Sequence, residues 1–189
     1  MKILVAYASR HGATRGIAER VAATLDRPGL DVDLRAVDQG VDLGAYDAFV
    51  VGSAAYLGGW LDEATAFVRR HRAELAVRPV WLFSSGPVGA TLVDAKGRDV
   101  VAASVPKEFA EFERSIGPRG TQVFFGAYDP DAPTVGIAER VMSRFMRILP
   151  PARNALPIGD FRDWPAIEAW AASIAAELVG AERSEPVHA

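Results

Sequence analysis

Apolar runs of strand length alternate with stretches of helical period along this chain, and that alternation narrows the fold more than any other feature. Ile3–Ala8 and Ala48–Gly52 are apolar throughout, as strands buried on both faces of a parallel sheet tend to be. Pro79–Ser84 and Thr121–Gly126 carry apolar centres of the same length. Leu30, Val32, Leu34 and Val37 instead mostly alternate with Asp31, Asp33 and Arg35, the pattern of a half-exposed edge strand. The intervening segments change period. Ile17, Val21 and Leu25, with Ala18 and Ala22, share one helical face that stops at Pro28-Gly29. A second helix carries Leu61, Ala64, Val68 and Leu75 inward, with Asp62 and Glu63 early and Arg69, Arg70 and Arg72 late, an order that suits the helix dipole. His71 lies on its inward stripe and reads as a packed, hydrogen-bonded histidine. Ser104 and Pro106 announce a helix through Phe109, Phe112 and Ile116, and the pattern predicts a last helix over Asp163–Val179 capped by Asp163. Strands separated by helices require right-handed crossovers. The expected fold is therefore α/β, a doubly wound five-stranded parallel sheet in the order 2-1-3-4-5 with helices on both faces.

Ligands of such sheets bind at the carboxyl ends of the strands, where the strand order reverses. Three loops after strands rich in apolar residues are rich in glycine or serine and would converge there. The first, Ser9-Arg10-His11-Gly12-Ala13-Thr14, follows a strand and opens directly into a helix, so several backbone N–H groups point at one place before a helix N-terminus. Ser9 and Thr14 add hydroxyl donors, and Arg10 or His11 adds positive charge. The spaced glycines and lysine of a P-loop are not there, nor is G-x-G-x-x-G. The second loop, Ser53-Ala54-Ala55-Tyr56-Leu57-Gly58-Gly59-Trp60, sets two aromatic side chains beside two glycines, which suits the face and edge of a flat ring. The third, Ser84-Ser85-Gly86-Pro87-Val88-Gly89, supplies further backbone donors and a rigid proline.

Composition limits what such a site can hold. With 189 residues, a net charge of -3 and no cysteine, the chain is predicted to be one domain over 1–180 with a flexible tail over 181–189. The charge gives no excess of cations with which to neutralise a nucleic-acid backbone. The missing thiols exclude disulfides, cysteine nucleophiles and iron–sulfur clusters, and three dispersed histidines suggest no metal site. Redox chemistry would then need a bound organic cofactor. A phosphate at one end and a flat heterocycle at the other describe a mononucleotide, and flavin mononucleotide (FMN) fits best. The N-terminal apolar run is too short for a signal peptide and Ala48–Leu61 is too short for a membrane span, so a soluble, cytoplasmic protein is expected. An insertion over 127–162 contains a helical pattern from Val135 to Leu149, with Arg140, Arg144 and Arg147 at helical spacing. It either packs on its own domain or presents a basic amphipathic face to a membrane surface or a lipophilic acceptor.

On these motifs the chain resembles the flavodoxin family. Ser9–Thr14 follows the family's phosphate-binding pattern of hydroxyl-x-x-Gly-x-Thr, and Ser53–Trp60 and Ser84–Gly89 correspond to its ring-flanking loops. Within the family it looks most like the menaquinone-dependent protoporphyrinogen oxidase branch, through Phe67-Val68-Arg69-Arg70-His71, Arg144-Phe145-Met146 and Asp163-Trp164. That resemblance implies FMN as cofactor, a porphyrinogen as substrate, a membrane quinone as acceptor and a place in heme biosynthesis. A backbone carbonyl near Gly58 or Gly59 is expected to answer the protonation of flavin N5. No side-chain acid or base stands out, so any proton is expected to come from solvent or substrate. The alternative is an electron carrier without a small substrate of its own. A phosphoacceptor signalling domain shares the strand order but needs acidic residues where this chain has Ser9 and Ser53.

Overall fold

The computed structural model describes residues 1–89, 91–94, 96–129 and 157–184. Its elements in chain order are β1 (Lys2–Ala8), α1 (Ala13–Leu25), β2 (Asp31–Ala36), a 3-10 turn (Leu43–Ala45), β3 (Ala48–Tyr56) and β4 (Gly59–Trp60). There follow α2 (Asp62–Arg70), α3 (Arg72–Leu75), β5 (Val80–Ser85), α4 (Val100–Ala103), α5 (Phe109–Ile116), β6 (Gly120–Phe124), β7 (Ala127–Tyr128), β8 (Gly159–Asp160) and α6 (Trp164–Ser184). The sheet order is β2-β1-β3-β5-β6, every pair parallel. This is the expected order, renumbered because the short strand β4 folds back antiparallel on β3.

Alternate side chains of each strand feed two separate cores, one per face. Leu4, Ala6, Phe49, Val51 and Leu82 pack with Ala64, Phe67 and Val68 of α2 and Phe109 and Phe112 of α5. Ile3, Val5, Val50, Trp81 and Phe83 pack on the other face with Ile17 and Val21 of α1 and Ile167, Ile174 and Leu178 of α6. Each large apolar side chain so buried contributes about 1.5–3 kcal/mol, which is why the central strands tolerate no polar interruption. Gly52 is set by this packing: a Cβ there would lie 2.0 Å from Phe83 Cζ.

The largest departures from expectation lie at three boundaries. Strand β3 does not end at Gly52 but runs on to Tyr56 and returns as a hairpin, so most of the expected second loop is sheet. The second helix is not continuous to Leu75. His71 (φ -102°, ψ 20°) breaks it into α2 and α3. The last helix passes the expected Val179 and continues to Ser184, into the stretch read as tail. The helix expected over 135–149 lies outside the described residues. The ends of the segment that contains it are clasped, because β7 and β8 pair antiparallel through Ala127 with Asp160 and Tyr128 with Gly159.

Candidate cofactor site

Register brings the three loops to one row. Ala8 lies opposite Ser53, and Ser53 opposite Ser84, where β1 ends, β5 nears its end and β3 runs on into the hairpin. The sheet order reverses at β1, which has β2 on one side and β3 on the other. That is where a doubly wound sheet opens a crevice.

Gly12 begins α1 in the left-handed region (φ 82°, ψ -12°), a conformation that L side chains adopt only with strain. Its missing Cβ would meet nothing within 4 Å, so space lies open before the helix. The first amides of a helix have no intrahelical acceptor, and α1 carries no acidic residue in its first turn that would compete for an anion. Thr14 is buried (1% exposed). The hydroxyls of Ser9 and Ser84 are both buried without a hydrogen-bond partner. Such orphans ordinarily destabilise by about 1–3 kcal/mol each, a cost that a bound group reaching them would remove. His11 is exposed. Arg10 reaches across to the first turn of α2, where its Nη2 lies 3.2 Å from Glu63 Oε2.

The second loop is a two-residue hairpin. Leu57 (φ 51°) and Gly58 (φ 76°) both take positive φ, as the turn matching the twist of such hairpins requires. Leucine in that conformation is strained by about 1–2 kcal/mol, and its side chain is fully exposed (107%). The hairpin is braced from behind. Lys107 N–H donates to the Gly58 carbonyl (3.0 Å), and Trp60 N–H donates to Oε2 of the buried Glu108 (3.0 Å). Ser53 Oγ donates to the Ala54 carbonyl (2.9 Å) and accepts from Leu61 N–H (3.2 Å), which fixes the base. Gly59 backs onto Glu108, whose Oε1 would lie 3.1 Å from a Cβ there.

Of the two aromatic residues expected to flank a ring, only Tyr56 is exposed, at the hairpin's shoulder. Trp60 points into the core instead. Its ring meets Phe109 edge-on at 5.3 Å and Phe112 at 5.6 Å, and its Nε1 is buried without a partner. The pleat explains this, since Trp60 pairs with the partly buried Ala55 and follows its side of the sheet. In the third loop a Cβ on Gly86 would lie 3.3 Å from Ala55 Cβ, so the second and third loops touch. Ser85 is buried, Pro87 O accepts Gly126 N–H (2.8 Å), and Gly89 lies beside Pro157.

The residues behind the finer resemblance are mostly engaged in packing. Phe67 and Val68 are buried, and His71 lies against the Phe67 ring (4.9 Å), a packed histidine as expected. Arg69 forms a fork on Glu111 (2.8 and 2.6 Å), which holds that carboxyl below its usual range. Asp163 caps α6 through Ala166 N–H (3.0 Å), and Trp164 is flanked by the guanidinium groups of Arg162 (4.3 Å) and Arg20 (4.9 Å). Arg144-Phe145-Met146 lies outside the described residues.

Sequence reasoning missed three supporting residues: Glu63, Glu108 and Arg162. Each acts across a long stretch of chain, and no local pattern marks it. Among the described residues no group of His, Cys, Asp or Glu could hold a metal ion.

A doubly wound sheet with an open helix start and a hairpin at the carboxyl side of its switch point is the architecture of a mononucleotide-binding protein. The chain belongs to the flavodoxin family: a family model described as "Flavodoxin domain" matches residues 4–149. The cofactor of that family is FMN, and the orphaned hydroxyls of Ser9 and Ser84, with the open space at Gly12, fit it. Solved structures share the fold. A flavodoxin from Archaea is 17% identical, with a TM-score of 0.58 over 95% of this chain and 99% of its own. A flavodoxin mutant from Pseudomonas aeruginosa gives 17% and 0.56 with the same coverage. The rubredoxin oxygen:oxidoreductase of Desulfovibrio gigas gives 14% and 0.57, over 95% of this chain but 36% of its own. No curated protein matches the chain.

Proposed function

We propose that the chain is an FMN oxidoreductase that holds the cofactor's phosphate in Ser9–Thr14 and its ring between the hairpin at Ala54–Gly59 and the loop Ser84–Gly89. The observation that carries this reading is the row Ala8, Ser53, Ser84, with unpartnered hydroxyls on Ser84 and on Ser9, the residue after Ala8. When bound, FMN supplies the electron chemistry, and the protein supplies position and field. Ser9 Oγ and the amides at the start of α1 donate to the phosphate, and Thr14 adds its hydroxyl. Tyr56 covers the ring face. Arg10 lends charge from the rim, moderated by Glu63. The Gly58 carbonyl accepts Lys107 N–H through one lone pair and keeps a second with which to answer the protonation of flavin N5.

For the reacting partner, the reading is a porphyrinogen as electron donor and a quinone as acceptor. What supports it is the exposed apolar tip: Leu57, and Val105 two residues before Lys107, offer apolar surface beside the ring end of the crevice to the hydrocarbon part of such a donor. A peripheral membrane contact through 135–149 belongs to the same proposal. The described residues contain no helix long and apolar enough to cross a membrane. The second reading, an electron carrier without a small substrate, is favoured by the packing roles of Phe67, Arg69, His71 and Trp164. Anaerobic mixing of FMN-loaded protein with protoporphyrinogen, followed by a quinone analogue, separates the two. Bleaching of the flavin by the porphyrinogen and its recovery with quinone supports the oxidase. No bleaching, with rapid electron transfer from chemically reduced protein to cytochrome c, supports the carrier.

A further inference from the structure

The segment that closes the insertion passes both ends of the cofactor site. Phe161 N–H donates to Gly126 O (3.1 Å) and Gly126 N–H to Pro87 O (2.8 Å), which ties the segment to the third loop. One residue further, Arg162 turns to the phosphate loop and donates from Nη1 to the Ala13 carbonyl (3.2 Å). The guanidinium is fixed from every other side. Nε and Nη2 grip Asp160 Oδ1 and Oδ2 (2.7 and 2.6 Å), and the group lies over Trp164. Its side chain is 17% exposed.

Helix α1 makes room for this arginine. A Cβ on Gly16 would fall 2.5 Å from Arg162 Nη1. Glycine within a helix is poorer than alanine, so its presence here is explained by the arginine rather than by the helix. A cation beside the positive end of a helix is also unfavourable by itself, and Asp160 offsets it. These compensations point to a task at Ala13. The peptide unit is planar and trans, so its C=O and the next N–H point in opposite directions. Holding the Ala13 carbonyl on one side therefore aims the Thr14 N–H to the other, toward the mouth of the loop.

We propose that Arg162 is a positioning residue for the phosphate loop: by holding the Ala13 carbonyl it aims Thr14 N–H at the cofactor's phosphate, and so sets the preference for a phosphorylated flavin. This rests on the reading that Ser9–Thr14 holds the phosphate. The test is a titration of apo-protein with FMN and with riboflavin, which has the same ring without the phosphate, for wild type, Arg162→Gln and Gly16→Ala. Gly16→Ala retains every charge and favours the helix, yet its methyl takes the place of Nη1, so a loss of affinity cannot be assigned to a weakened α1.

Wild type is expected to bind FMN much more tightly than riboflavin. Each variant should lower that preference by about tenfold, the effect of one misdirected hydrogen bond to a charged acceptor, with riboflavin affinity unchanged. A preference equal to wild type in both variants overturns the proposal, and so does an equal loss for both ligands, which would make Arg162 merely structural. Wild type binding the two ligands alike is a different failure: it removes the phosphate role of the loop and the proposal with it.

Discussion

Ser9→Ala should move apo-protein stability and cofactor affinity in opposite directions. In the free protein Ser9 Oγ is buried and unpartnered. Its removal relieves a penalty of about 1–3 kcal/mol, and water entering the cleft recovers part of that penalty, so a gain of about 1 kcal/mol is expected. For a domain of this size that raises Tm by about 2–4 °C. With FMN present the same hydroxyl donates to a charged phosphate. Its loss should weaken binding by about 1.5–3 kcal/mol, or roughly 10–150-fold. At FMN about a hundredfold above the wild-type Kd, the cofactor adds about 2.7 kcal/mol to wild type but only about 0.9 to a mutant bound thirtyfold more weakly. The order of stabilities therefore reverses between apo and holo samples. Flavin fluorescence gives the affinities and thermal unfolding gives the stabilities. A mutant less stable than wild type in the apo form, with FMN affinity unchanged, would make Ser9 an ordinary structural hydroxyl and remove its role at the phosphate.

Gly52→Ala should destabilise the fold by about 1–3 kcal/mol or more, because its methyl overlaps the buried Phe83 ring; urea unfolding measures this, and an unchanged midpoint contradicts it. Gly12→Ala has space but the wrong conformation, so it should lower apo stability by about 1 kcal/mol and weaken FMN, as titration would show. Tyr46→Phe should matter more at neutral pH than in acid. The Tyr46 hydroxyl donates to Asp33 (2.5 Å) and, with Arg35, holds that carboxyl below its ordinary 3.8 against the opposing effect of burial. A depressed carboxyl adds stability above its unfolded value and loses it as pH falls through the folded one. The gap in urea midpoint between wild type and mutant should therefore shrink from pH 6 to pH 3, and a constant gap would rule the linkage out.

The parallel sheet was legible because its central strands are buried on both faces and so leave unbroken apolar runs, as in Ile3–Ala8. Helix starts were legible where a side chain caps, as at Asp163. The loop Ser9–Thr14 was legible as a motif because Gly12 serves a local backbone need. The hairpin was not. Its turn is Leu57-Gly58 rather than the Asn-Gly that announces such turns, and the strain at Leu57 is carried by Lys107 and Glu108, distant in sequence. Trp60 was misread for the same reason, since without the hairpin its pairing with Ala55 cannot be known. The break at His71 leaves no signal, because the apolar stripe continues through it. Arg162 was invisible except through its counterpart, a glycine within α1 with no turn to explain it.

If the start of α1 holds the phosphate of FMN, a crystal structure of the FMN complex will show it there. Phosphate oxygens within hydrogen-bond distance of Ser9 Oγ and of the amides at Gly12, Ala13 and Thr14 are the predicted result; a bound flavin whose phosphate lies elsewhere, with this loop open to solvent, would contradict it.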